Sequence, residues 1–196
     1  SLVASSMMFG TIAPAFAATI TIDTDMADHN FKAFQIFKGE EHTEASGAKT
    51  LSNITWGNDI NQDDFISALK GVTDWATTGV DFSQCTSAAQ VAEQIAKMGD
   101  HQADAEKVAK IALANKKGEG TPISAGTTTL AGGYYLICDV TTDPATKDFV
   151  YNPSILKIAG DDIRNEQKTD KPSVDKQVWD EAADGETAGQ YWGESA

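Results

Sequence analysis

The sequence predicts a mainly β protein: a β-sandwich carrying a helical insertion, followed by the start of a second β domain. Three observations carry this. Segments with the period-two alternation of strands lie on both sides of residues 61–117. Within that middle stretch the apolar residues change to helical spacing. Strand chemistry resumes at Pro172 after a polar run. Strands flanking helices, with apolar residues on both faces, point to packed sheets with the helices inserted between strands.

In chain order, ATITI at 18–22 alternates and is β-branched, which predicts a strand, and the polar cluster at 23–30 predicts a turn. FKAFQIFKG at 31–39 predicts a second strand. Strict alternation places Phe31, Ala33, Gln35 and Phe37 on one face and Lys32, Phe34, Ile36 and Lys38 on the other. A short helix is predicted over 61–72, with acidic residues in its first turn. Ser87 and Gln90 form a capping box ahead of Val91, Ile95 and Met98, and Gly99 stops that helix. A third helix, over 103–117, carries Val108, Ile111 and Ala112 on one face. TTTL and AGGYYLICDV follow as strands, with Tyr134, Leu136, Cys138 and Val140 on one face and a tight bend at Gly132 and Gly133. Residues 149–160 read as one or two further strands, and residues 161–171 as a polar linker. PSVDKQVWD at 172–180 predicts a strand lacking partners in the remaining chain, and 181–196 an acidic loop, so a truncated second domain is expected.

The chain has 196 residues, with 29 Asp+Glu against 15 Lys+Arg and a net charge of −14. That charge repels phosphate backbones, so nucleic acid is not an expected partner. Residues 1–17 are apolar and small and end in Ala15-Phe16-Ala17, an A-x-A pattern. With Pro14 and too few apolar residues for a spanning helix of about 20, they read as the remnant of an export signal cleaved before Ala18. Cys85 and Cys138 fit no C-x-x-C pattern; a disulfide between them and two separate buried thiols both remain open.

Enzyme signatures are absent: there is no G-x-S-x-G, H-E-x-x-H, phosphate loop or dinucleotide fingerprint. Asp23, Asp25 and Asp28 begin like a calcium loop, but its sixth and twelfth positions hold Asp28 and Phe34 instead of Gly and Glu. Cys85 with His29, His42 or His101 has no nucleophile signature around it. No enzyme activity, metal or cofactor is expected. Lys176 lies between Val174 and Val178 on one strand face. If that face is buried, its desolvated amine becomes a nucleophile; a solvated strand lysine is the alternative. Lys32 is a weaker case of the same kind.

FKAFQIFKG, LSNITWG at 51–57, AGGYYLICD, the run from Ile155 through Lys168, and KPSVDKQV followed by WGESA stand in a characteristic order. In that order and spacing, the chain from Ala18 to Ala196 resembles the isopeptide-forming fimbrial proteins, the shaft (backbone) pilins of sortase-assembled Gram-positive pili. The resemblance implies an immunoglobulin-like N-terminal pilin domain at 18–166. After it, at 167–196, come a linker and the truncated start of a Cna-B-type domain. It implies that Lys176 is the lysine of an intramolecular isopeptide bond whose acceptor and acidic helper lie beyond Ala196. It also implies a sortase-acceptor lysine near the end of the first domain. The usual Tyr-Pro-Lys is missing, and Lys168, then Lys171, occupy the corresponding place. The expected partners are other pilin subunits and a class C-type sortase, on a secreted, wall-anchored pilus. An ancillary or tip pilin binding a host surface ligand is the alternative role.

Overall fold

The computed structural model describes residues 17–22, 29–99, 101–123, 126–142, 151–159, 163–165, 178–179 and 191–192. It is β-rich. Strands β1 (Ala17–Ile22), β2 (Phe31–Thr43) and β3 (Lys49–Trp56) precede helices α1 (Gln62–Gly71), α2 (Ala88–Met98) and α3 (Gln102–Asn115). Then come β4 (Thr121–Ile123), β5 (Gly126–Ala131), β6 (Gly133–Asp139), β7 (Ser154–Ile158) and β8 (Ile163–Asn165), followed by β9 (Val178–Trp179) and β10 (Tyr191–Trp192). The larger sheet runs β3-β2-β6-β7, with β4 also paired to β2. A three-stranded sheet runs β5-β1-β8, and β9 pairs with β10.

The long β2 is the spine. Its two faces belong to two apolar clusters. Phe34, Ile36 and Phe37 pack with Leu136, Cys138 and the helices' Phe65, Leu69, Val91, Val108 and Ala112. Phe31 and Ala33 pack with Tyr135, Ile137, Ile158, Ile20 of β1 and Leu130 of β5. Each fully buried side chain of this size is worth about 1.5–3 kcal/mol of transfer free energy. Tyr134, Leu136, Cys138 and Val140 lie together on the helix-covered face, as alternation predicts. Phe37 is a correction: it joins Phe34 and Ile36 and not Phe31 and Ala33. The cause is a β-bulge, with Gln35 opposite Tyr135 but Phe37 opposite Tyr134, so one extra residue reverses the alternation.

The bulge faces a segment built to meet it. Between β4, paired at Phe31–Ala33, and β3, paired from Phe37 onward, residues 57–60 fill the gap along β2. The Gly57 amide donates to Ile36 O at 2.7 Å and the Asp59 amide to Gln35 O at 3.1 Å. The Asp59 carboxylate accepts from the Gln35 amide at 2.8 Å. Asp59 O accepts from Lys117 N at 2.9 Å, which ties the same segment to the end of α3. Backbone groups exposed by the irregular ladder are thus satisfied locally.

Of α1, α2 and α3, α2 alone has a side-chain cap at its start. Ser87 caps α2 as one half of a complete capping box with Gln90, and Gly99 ends it at φ 53°. In α3 the first-turn Asp104 is fully buried. Its carboxylate accepts from the Ala76 and Thr77 amides at 3.0 and 2.7 Å, pinning the segment between α1 and α2. Burial opposes its charge, but donors from Thr77 and Ala76 outweigh it and hold the carboxyl down to about 2. Asp104→Ala is expected to cost about 2 kcal/mol, the penalty of orphaned buried donors. Urea unfolding would read it, with rapid amide exchange appearing at Ala76 and Thr77.

One strand that the sequence pattern does not announce and two further corrections follow. β3 pairs with β2 as a hairpin around residues 44–48, although its pattern is half exposed. β8 lies inside the run read as linker; it needs only backbone pairing, to β1, so polar composition does not forbid it. The strand expected to be unpartnered finds one, because β9 pairs antiparallel with β10 in the tail read as loop. Gly132 falls where the chain passes from the smaller sheet into the larger, consistent with the predicted bend. Among the described residues no helix is long and apolar enough to cross a membrane.

Candidate functional site

Lys168, Lys171 and Lys176 lie outside the described residues, as does the expected export signal up to Phe16 and the acidic turn at 23–28. Lys32 is described. Its ammonium stands 3.7 Å from the solvent-exposed Glu119 carboxylate, and its side chain is 29% exposed. It is a cross-strand neighbour of Cys138.

Cys85 and Cys138 are free thiols, both buried in the helix-covered cluster. Burial pushes both thiols up, away from the reactive thiolate. Cys85 Sγ reaches the Asp81 carbonyl at 4.0 Å. His29 is engaged with Asp139, and His101 stands 3.8 Å from Asp104 at the start of α3. His42 lies on the outer half of β2.

The most concentrated polar group in the described interior joins three segments. His29 Nδ1 and Asp139 Oδ2 are 2.6 Å apart, with side chains 5% and 0% exposed. The Thr141 amide and hydroxyl donate to Asp139 Oδ1 at 2.9 and 2.5 Å, and the Tyr151 amide donates to Oδ2 at 3.1 Å. Thr141 Oγ1 in turn accepts from the Asn30 amide at 2.8 Å. The His29 ring meets Tyr151 edge-on at 4.7 Å. Burial raises the Asp139 carboxyl, but donors from Thr141, Tyr151 and His29 outweigh it and hold it below its ordinary value. This clamp fastens the start of β2, the end of β6 and the approach to β7. Part of it is written locally: Asp139-Val140-Thr141 is a carboxylate with a donor two residues on, an Asx-turn signature. The partner His29, 110 residues away, leaves no local signal.

A second feature is the seating of β1 in the smaller sheet. β1 lies between β5 and β8, antiparallel to the first and parallel to the second, with Ile20 opposite Ile163 and Ile22 opposite Asn165. Tension applied upstream of β1 and downstream of β8 pulls these parallel neighbours in opposite directions along their length. Their hydrogen bonds are then loaded together, in shear, and not one at a time. Compared with known proteins, the chain matches no family model and no curated protein.

Proposed function

We propose that the chain is the N-terminal part of a structural pilus subunit, joined to its neighbours by sortase and stabilised by intramolecular isopeptide bonds. The observation that carries this reading is the shear arrangement of β1 and β8. It suits a module whose task is to transmit tension from one neighbour to the next. The two sheets are read as the halves of an immunoglobulin-like sandwich, supported by the packing of Ile20 and Leu130 against Phe31, Ala33, Tyr135 and Ile137. The helices between β3 and β4 are then its insertion. The joining amine is assigned to Lys168, with Lys171 second; both follow shortly after Asn165, where β8 ends. Head-to-tail joining there is a heterologous contact that does not close, so it yields a fibre.

Two measurements test this. Incubated with the cognate sortase, the full-length protein should form covalent ladders that Lys168→Ala weakens and the Lys168→Ala/Lys171→Ala double variant abolishes. Ladders that persist in the double variant place the joining amine elsewhere. For Lys176, the intact mass should be lower by about 17 Da if ammonia leaves, or about 18 Da if water leaves, for each amide bond formed. Lys176→Ala should recover one such loss, and an unchanged deficit removes Lys176 from the role.

A further inference from the structure

A groove of about 200 Å³ runs between the helices and the larger sheet. Its walls include Ile95 and Met98 of α2, Val108 of α3 and Ile155 of β7, and it carries two polar side chains, Tyr134 and Lys157. These two are directly opposite each other on β6 and β7. Cross-strand neighbours have Cβ atoms about 4.5–5.5 Å apart, so the two side chains rise from adjoining points of the groove wall, with Lys157 at its exposed edge. Among the described residues, neither the Tyr134 hydroxyl nor the Lys157 ammonium has a hydrogen-bonding or ionic partner. Burial pushes the Tyr134 hydroxyl up, which keeps it protonated and a donor. No lining residue is acidic, in a chain with 29 Asp+Glu against 15 Lys+Arg.

We propose that this groove binds a short-chain carboxylate, with its alkyl chain among Ile95, Met98, Val108 and Ile155 and its carboxylate on the Tyr134–Lys157 pair. The volume sets the size. About 200 Å³ equals roughly seven waters of liquid at ~30 Å³ each, and it falls below the roughly 300–1,000 Å³ of drug-sized sites. An acid of about six carbons suits this space. Two donors with no acceptor beside them select a carboxylate over an alcohol or an amine, because a charge-assisted hydrogen bond is about twice as strong as a neutral one. The site stands apart from the pilus reading and does not depend on it.

The test is an NMR titration of the protein with sodium hexanoate, followed through backbone amides. Shifts are expected at α2, α3 and β7 with a dissociation constant on the order of 1 mM. 1-Hexanol should bind about tenfold more weakly, and Lys157→Gln should weaken hexanoate by about the same factor. Tyr134→Phe should weaken it by about threefold, while Lys110→Gln, on α3 but outside the groove, should leave it unchanged. Ala105→Trp, which fills the groove from a partly open wall, should abolish the shifts while the far-UV spectrum stays native. The proposal is overturned if hexanoate leaves the groove amides unshifted, if hexanol binds as well as hexanoate, or if Lys157→Gln and Lys110→Gln behave alike.

Discussion

Gly57→Ala is expected to lower the melting temperature by about 10 °C, corresponding to a loss of about 3–4 kcal/mol. A Cβ at this position would stand 2.0 Å from Gln35 O and 2.8 Å from the Ile36 carbonyl carbon. Both are backbone atoms of the bulge in β2, so no side chain can turn aside to make room. Moving the segment away would break the Gly57 and Asp59 hydrogen bonds to β2 together. Gly71→Ala is the control: it ends α1 with open space where its Cβ would be. It should change stability by no more than about 0.5 kcal/mol. Thermal unfolding followed by circular dichroism distinguishes the two, and equal melting temperatures for both variants would show that the bulge contact is not needed.

Asp139→Ala carries the other large effect, a loss of about 3–5 kcal/mol, because it strands donors and a histidine built around a buried carboxylate. Its pH dependence has a definite sign. The folded protein holds this carboxyl below its ordinary value, so the folded state binds fewer protons than the unfolded one in the acid range. The stabilisation is complete above the unfolded carboxylate value of about 3.9 and is lost as pH falls through the folded one. Asp104 contributes in the same direction. Asp139→Asn should therefore flatten the fall of melting temperature as pH drops below about 4 without removing it, and the Asp104→Asn/Asp139→Asn pair should flatten it further, down to the folded Asp104 value of about 2. A steep acid transition retained in the pair would assign it to other carboxylates.

What could be read from the sequence follows from how local each signal is. α2 is legible because Ser87, Gln90, Val91 and Gly99 carry its start, face and end within one short stretch. The face of β6 is legible because Tyr134, Leu136 and Cys138 alternate without interruption. The far half of β2 is misread at Phe37, since a bulge is decided by the partner strand and not by β2 itself. β3 lacks a fully buried residue, so its alternation is faint. β8 is recognised only through the backbone of β1. The clamp shows half of itself, Asp139 with Thr141, while His29 is supplied by topology. The lysines assigned to covalent chemistry rest on pattern and resemblance, and lie outside the described residues.

The seating of β1 also governs when the domain can finish folding. Ile20 pairs with Ile163, a separation of about 140 residues, and closing so long a loop costs about 4 kcal/mol by the logarithmic length term alone. Such distant pairing belongs to the slow end of the range of folding rates. At about 5–20 residues per second, synthesis needs roughly 7–30 s after β1 emerges before β8 exists to receive it. For about the first three quarters of that interval the first strand has neither permanent neighbour, and until β8 is made it has only β5. A newly made chain thus leaves β1 without its strand partners for seconds, open to pairing with any other exposed edge it meets before β5 and β8 arrive.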